Sequence, residues 1–353
     1  MKGNEAFGKA AIEAGCRYFF GYPITPQNEV PEYMSRELPK VDGVFVQAES
    51  EVAAINMVYG AAGAGARVMT SSSSQGVALK QEGITYAAGA ELPCVVLNVT
   101  RGGPGLGSIQ SSQADYFMST RGGGNGDYRT PVFAPATVQE AVDMIMEAFE
   151  VADFYRTPTM VVADGMIGQM MEPVEFKAPK KRDLQPKDWA TTGTKGQRKP
   201  NVINSLYLEP EILEQHCIKL DNKFKEIEKN EVQYEMYKTD DAELVFVAYG
   251  TTSRIVKSAI DILREEGIKA GLIRPKTLWP FPFEAFNQID NAKIILTVEM
   301  CMGQMVEDVQ LAVLGKLPVH FYGRAGGMAP APSEIAEKAR EIVGKELATG
   351  GAK

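Results

Sequence analysis

Short apolar runs alternate with segments whose apolar residues recur every three or four positions, and the alternation persists through most of the chain. Such a pattern predicts strands and helices in turn, hence a mostly parallel α/β architecture. Residues 3–15 read as a helix ending at Gly15, and residues 16–25 as an aromatic-rich strand stopped by Pro23 and Pro26. A helix follows over 28–38, a short strand over 43–49, and then a helix opening near Val52 and running to Gly65. In that helix Val52, Ile55, Tyr59 and Ala62 recur at helical spacing, while Ala53, Ala54, Ala61 and Ala64 leave no polar face, which predicts burial. The strand over 66–74 ends in four serines, and a helical segment over 76–90 makes these a strand-to-helix loop with Ser74 or a neighbour as cap. Residues 94–99 form a continuous apolar run of the parallel-sheet kind, ending at Thr100, Arg101 and a glycine-rich turn. A loop over 121–131, a strand over 132–136, a helix over 138–156 and a strand over 158–165 complete this part.

From about residue 172 the character changes to charged and proline-rich, followed by a polar helix expected over 209–237. Alternation resumes with strands over 243–250, 269–282, 292–300 and 318–327, separated by helices over 252–267, 283–289 and 305–315. The expected organisation is thus a first domain over 1–175, a linker and helical arm over 176–240, and a second domain over 241–353, both domains with mostly parallel sheets.

A chain of 353 residues with a net charge of -8 has no general electrostatic reason to approach nucleic acid or an anionic membrane. The basic clusters at 180–182 and 195–199 lie among acids and with few aromatics, as on a solvated or subunit-contacting surface. No run approaches a membrane span and the amphipathic start does not read as a signal peptide, so a cytoplasmic protein is expected. The cysteines at 16, 94, 217 and 301 lack CxxC spacing, which argues against a metal or iron–sulfur site held by this chain alone. Two histidines, His216 and His320, supply a nucleophilic triad poorly.

The chemistry therefore rests on a few residues at strand ends. Glu49 and Glu51 open the small-residue helix, and two roles are open to such an acid: complementing the helix dipole, or serving as a carboxyl held out of water to share a proton with a ligand nitrogen. Arg101 beside flexible backbone suits bidentate capture of a small carboxylate, and a structural salt bridge to Asp115 would give the same pattern. The turn RGGPGLG matches neither common phosphate-binding motif and reads as a close backbone approach.

In GYPITP, in QAESEVAAINMVYGAAGAGARVMTSSSSQG and NVTRGGPG, and in VFVAYGTTS, IRPKTLWPFP and VEMCMGQM, the sequence resembles the 2-oxoacid:ferredoxin oxidoreductases. The likeness covers nearly everything except the middle arm. It is nearest to the subunit of the branch acting on 3-methyl-2-oxobutanoate, with the 2-oxoglutarate branch as rival. It implies a thiamine diphosphate pyrimidine-type domain followed by a transketolase-C-terminal-like domain. It further implies CoA-dependent oxidative decarboxylation of a 2-oxoacid to acyl-CoA and CO2, with ferredoxin as electron acceptor. The cofactor would be shared with a beta-type subunit carrying Mg2+ and [4Fe-4S] clusters, beside gamma-type and small ferredoxin-like subunits. By the same resemblance Glu51 would hydrogen-bond the pyrimidine, with Glu49 as fallback, Thr25 would bond the substrate and Arg101 would pair with its carboxylate. Tyr22, Pro23 and Ser74 complete the implied cofactor-binding set, Tyr22 and Pro23 chiefly by shaping their loop; Asp115 and the serine loop would line the site. A scaffold subunit with a decayed site and a transketolase-like half-subunit are the competing readings.

Overall fold

The computed structural model describes residues 1–350, with side chains through residue 346. Its first part contains β1 (Tyr18–Gly21), β2 (Val44–Gln47), β3 (Val68–Ser72), β4 (Cys94–Thr100), β5 (Val132–Phe133) and β6 (Pro158–Asp164). Around them pack α1 (Gly3–Glu13), α2 (Glu29–Glu37), α3 (Glu51–Gly63), α4 (Gln75–Gly89), α5 (Tyr116–Thr120), α6 (Val138–Tyr155) and α7 (Gly165–Gln169). The second part contains α8 (Pro210–Asn230), β7 (Tyr234–Tyr237), β8 (Leu244–Val247), α9 (Gly250–Glu265), β9 (Ala270–Pro275), β10 (Thr277–Trp279), β11 (Ile294–Glu299), α10 (Met305–Val313), β12 (Val319–Gly323) and α11 (Pro332–Gly350).

Two sheets result, one in the order β10-β5-β6-β4-β3-β1-β2 and one in the order β12-β11-β8-β9-β7. Every pairing is parallel except the outermost β10–β5 and β7–β9. The parallel α/β expectation thus holds. All seven residues of β4 and of β6 are buried, as continuous apolar runs in a sheet covered on both faces require.

Three expectations need correction. The polar helix ends at Asn230, and Tyr234–Tyr237 instead forms the antiparallel edge strand of the second sheet. Its alternating aromatic and polar residues suit a half-covered edge. The run over 269–282 is two strands: β9 stays in the second sheet, and β10 crosses to pair with β5 of the first. Residues Phe283–Gln288 form a 3-10 turn rather than an α-helix. Between α7 and α8 the chain is an irregular strap laid over the ends of α3 and α4, tied by the Thr191 N–H to the Gly63 carbonyl at 2.9 Å. Among the described residues no helix is long and apolar enough to cross a membrane.

Each sheet has one topological switch point, where the chain leaves a strand for neighbours on opposite sides. It lies between β1 and β3 in the larger sheet and between β8 and β11 in the smaller. Crevices at the carboxyl ends of such strands are the usual ligand positions of open α/β sheets.

Candidate active site

The larger sheet delivers its polar residues to the carboxyl ends of β1 to β4. The loop after β1 holds Tyr22, Pro23 and Thr25, all exposed. Gln27, fully buried, spans the switch point: its Oε1 accepts the Ser71 hydroxyl at the end of β3 at 2.5 Å, and its Nε2 donates to the Tyr22 carbonyl at 3.4 Å. The loop carrying Thr25 is therefore tied to the serine turn by a buried hydrogen bond.

That turn is the floor of the crevice. Ser72 and Ser73 are fully buried and their hydroxyls find no partner among the described residues, an uncommon and costly state. Ser74 has φ 34°, a left-handed conformation that a residue with a side chain adopts only when its surroundings impose it. It occupies the cap position of α4 but makes no cap bond, which corrects the expected role. Its hydroxyl donates instead to Asp115 Oδ2 at 2.7 Å and accepts the Arg101 N–H at 3.0 Å, while its own N–H donates to Asn98 Oδ1 at 2.9 Å. Asn98 completes the cluster by donating to Asp115 Oδ2 at 2.9 Å. Burial pushes the Asp115 carboxyl above its ordinary value, and the Ser74 and Asn98 hydrogen bonds oppose that rise.

Arg101 is not bridged to Asp115, so one of the two readings left open falls. Its Nη1 donates to the Thr25 carbonyl at 2.8 Å and Nη2 reaches the Leu106 carbonyl at 3.5 Å, while Nε is buried without a partner. Among the described residues no carboxylate pairs with this guanidinium. The neighbouring arginines differ: Arg121 pairs with Asp308 at 2.9 Å and Arg324 with Glu334 at 2.5 Å.

Glu51 opens α3 just beyond the carboxyl end of β2 and is 7% exposed, whereas Glu49 is exposed. The cap bond of α3 is made by Ser50, whose Oγ accepts the Ala53 N–H at 3.1 Å. Glu51 is thereby left with a carboxylate that accepts no hydrogen bond among the described residues. It lies against Gly76, where a Cβ would stand 2.6 Å from Glu51 Oε1 and 2.0 Å from Ser72 Oγ. Any side chain at residue 76 would fill the space that acid and serine share.

Sequence reasoning missed Lys80. It is fully buried on α4, with Nζ donating to Thr70 Oγ1 at 2.6 Å and to the Ser71 carbonyl at 3.2 Å. Burial pushes its ammonium from the ordinary 10.5 down to about 7, and the charge of Glu51 opposes that fall. The signal was available: Val77, Lys80, Ile84 and Ala88 share one helical face, so a cation interrupts an apolar stripe.

Cys16 and Cys94 are buried, and burial pushes both thiols up to about 12, which suits inert packing residues. Among the described residues no three His, Cys, Asp or Glu side chains gather as a metal site would need.

The fold and this crevice define a class: an α/β protein with two parallel sheets whose larger switch point keeps buried, unpartnered polar groups. A split-gene transketolase shares that architecture with a TM-score of 0.62 over 97% of each chain, at 15% identity. Residues 9–243 match the family model described as pyruvate flavodoxin/ferredoxin oxidoreductase, thiamine diphosphate-binding, and residues 242–335 match pyruvate:ferredoxin oxidoreductase core domain II. The chain is 48% identical to the ketoisovalerate oxidoreductase subunit VorB of Methanothermobacter thermautotrophicus, over 98% of this chain and 97% of that one. It is 37% identical to the 2-oxoglutarate synthase subunit KorA of Methanocaldococcus jannaschii, over 95% and 97%. The structure of a 2-oxoglutarate:ferredoxin oxidoreductase from Magnetococcus marinus, with 2-oxoglutarate, coenzyme A and succinyl-CoA bound, superposes with a TM-score of 0.84 at 28% identity. It covers 97% of this chain, which spans only 64% of that longer one. The chain belongs to the 2-oxoacid:ferredoxin oxidoreductase family.

Proposed function

We propose that this chain is the pyrimidine-side half of a split thiamine diphosphate site. The assembled enzyme converts a branched-chain 2-oxoacid, coenzyme A and oxidised ferredoxin to acyl-CoA, CO2 and reduced ferredoxin. The observation that carries the reading is the unpaired Arg101 guanidinium, held by the Thr25 carbonyl at the same crevice as the unbonded Glu51 carboxylate.

Thiamine diphosphate suits the residues present. Glu51 offers a free acceptor, Gly76 leaves room beside it, and the Ser72 and Ser73 hydroxyls are buried without partners. When bound, the cofactor supplies the nucleophilic carbon and the electron sink for decarboxylation. Glu51 would hydrogen-bond the pyrimidine ring nitrogen and hold a proton there, which is the work of a general acid–base. Thr25 directs its hydroxyl to the substrate and Arg101 pairs with its carboxylate, orienting the keto carbon. Tyr22, Pro23 and Ser74 hold the loops in place, Ser74 through Asp115 and the Arg101 backbone. Exclusion of water, on which a strong Arg101 pair depends, falls to a beta-type partner that closes the crevice and brings Mg2+, the diphosphate site and [4Fe-4S] clusters. Gamma-type and small ferredoxin-like subunits complete the assembly, in the cytoplasm. Residues 1–175 would serve the pyrimidine, 176–240 the linker and arm, and 241–353 the transketolase-C-terminal-like role.

The branched-chain preference rests on the rim. Leu106 and Ile109, close to Arg101 in sequence, are exposed apolar residues, and Arg121 and Arg324 of the flanking loops are already paired with acids, so neither is free for a distal carboxylate. Coenzyme A-dependent viologen reduction by the assembled complex, run against a panel of 2-oxoacids, tests the reading. The expected order is 3-methyl-2-oxobutanoate far above 2-oxoglutarate; the reverse order overturns the substrate, and no reduction with any 2-oxoacid overturns the activity.

A further inference from the structure

Lys80 is a buried cation of the crevice floor that the proposed function leaves unused. It stands on α4 one turn after Gly76, and the Gly76 position touches Glu51. One turn further, the Gly83 position touches Ile55, itself one turn after Glu51 on α3. The two helices therefore pack with Glu51 and Ile55 facing the row Gly76, Lys80, Gly83. Lys80 is fully buried, and among the described residues its ammonium bonds only Thr70 Oγ1 and the Ser71 carbonyl, both uncharged. A buried ammonium without a counter-charge is costly enough that a nearby carboxylate dominates its state. Glu51 is the titratable group whose charge acts on it. The acids on neighbouring elements are engaged elsewhere. Asp115 accepts from Ser74 and Asn98, and Asp164 at the end of β6 accepts the Met166 and Ile167 N–H groups.

We infer that Lys80 is a positioning residue for Glu51: its ammonium is the buried counter-charge of that carboxylate, and it sets how many protons the site takes up when the pyrimidine nitrogen arrives. This rests on the reading of Glu51 as the acid that meets that nitrogen. The balance is simple. Before binding, carboxylate and ammonium neutralise each other; on binding on the acid side of neutrality, where Lys80 keeps its proton, one proton enters from solvent and is shared between Glu51 and the ring nitrogen. Without the ammonium that balance is lost, and the uptake of the proton falls. The fall of the Lys80 ammonium to about 7 agrees, because a cation so near its point of proton loss responds strongly to the charge opposite it.

The test is calorimetric titration of thiamine diphosphate into the cofactor-free assembled complex, in buffers of different ionisation enthalpy between pH 5.5 and 8. The wild-type complex should take up about one proton per site on the acid side of neutrality, by proton linkage. Lys80→Met should take up at most about half of that, and Lys80→Arg, which keeps the charge, should restore it. Glu51→Gln should take up none, whatever stands at position 80. An identical proton count in wild type and Lys80→Met at every pH overturns the role of Lys80 while leaving that of Glu51 intact. A wild-type count and wild-type turnover in Glu51→Gln overturn the Glu51 reading itself. Should Lys80→Met fail to assemble, the pH dependence of melting in wild type and Glu51→Gln serves instead. Between about 7 and the ordinary 10.5 the unfolded chain binds more protons at Lys80 than the folded one, so stability rises with pH over that window. Glu51→Gln removes the charge that favours the ammonium, so the rise should begin at lower pH; an unchanged onset overturns the coupling.

Discussion

The two sheets present the same feature, a switch-point crevice at the carboxyl ends of parallel strands, and treat it in opposite ways. Between β8 and β11 the crevice is filled by the protein itself. The side chain of Gln113, from the first part of the chain, donates to the Tyr249 carbonyl at 2.9 Å and accepts the Thr252 hydroxyl at 2.7 Å and the Met300 N–H at 2.9 Å. Gly250 allows this approach, since its φ of 55° and a Cβ 3.3 Å from Gln113 Nε2 would both strain a larger residue. Beside it Glu299, fully buried, accepts the N–H groups of Gln304, Met305 and Val306 at the start of α10. Between β1 and β3 the corresponding acid, Glu51, accepts nothing, two serine hydroxyls stay unpaired, and a guanidinium has no acid. A switch point is thus an opportunity that the chain spends on its own cohesion in one sheet and, on the proposed function, keeps for a ligand in the other. The saturated site stabilises the junction between the two parts; the unsaturated one carries the cost that function imposes.

The sharpest break between the two crevices is expected at Arg101. Arg101→Met should lower kcat/KM for the 2-oxoacid by about 10²- to 10³-fold, mainly through KM, because an unpaired substrate carboxylate is left in a dry site. Its melting temperature should stay close to wild type, and steady-state kinetics with thermal denaturation check both. At the filled crevice the effect should reverse. Gln113→Leu leaves the Tyr249 carbonyl, the Thr252 hydroxyl and the Met300 N–H unsatisfied, which costs about 2–4 kcal/mol of stability. Specific activity of the folded fraction should be unchanged, as denaturant unfolding and assay of the same samples would show.

Two smaller effects sharpen the contrast. Burial raises the Glu299 carboxyl above its ordinary 4.5, and the N–H donors of α10 oppose the rise. Sign follows from proton binding: just above 4.5 the folded chain binds more protons at this residue than the unfolded one, so its contribution to stability falls as pH rises through the folded value. Glu299→Gln should abolish that part of the pH dependence, measured by melting across pH 4 to 7. Least of all in stability, Ser74→Gly relieves the left-handed strain, gaining about 1 kcal/mol, and loses the hydroxyl bonds to Asp115 and the Arg101 N–H at similar cost. Its net stability should be near wild type while kcat/KM drops by roughly tenfold as the Arg101 loop loosens.

Much of this was legible because parallel strands announce themselves as apolar runs and their carboxyl ends as breaks in those runs. Thr25, Ser74 and Arg101 each stand at such a break, and Glu51 stands where an acid meets a helix built mostly of small and apolar residues. Less legible were pairings decided by distant partners. Only a four-residue alternation distinguishes Tyr234–Tyr237 from the helix before it; its strand exists because β9 offers an open edge. Likewise Thr277–Trp279 leaves its sheet because β5, only two residues long, lacks a neighbour. Whether Asp115 bridges Arg101 was also beyond the sequence, since it turned on Ser74 and Asn98 claiming that carboxylate first. Lys80 was visible as a cation in an apolar stripe, but its meaning depends on α3 lying against α4.

The central claim, that one buried glutamate serves a ligand and the other serves the fold, is tested most directly by comparing Glu51→Gln with Glu299→Gln in the assembled complex, measuring kcat and melting temperature on the same preparations. Glu51→Gln should lose turnover by about 10²- to 10⁴-fold as its main effect, with only a small shift in melting from the lost charge opposite Lys80, and Glu299→Gln should melt several degrees lower with turnover per folded complex retained. Wild-type turnover in Glu51→Gln, or a lowered melting temperature as its main effect, would contradict it.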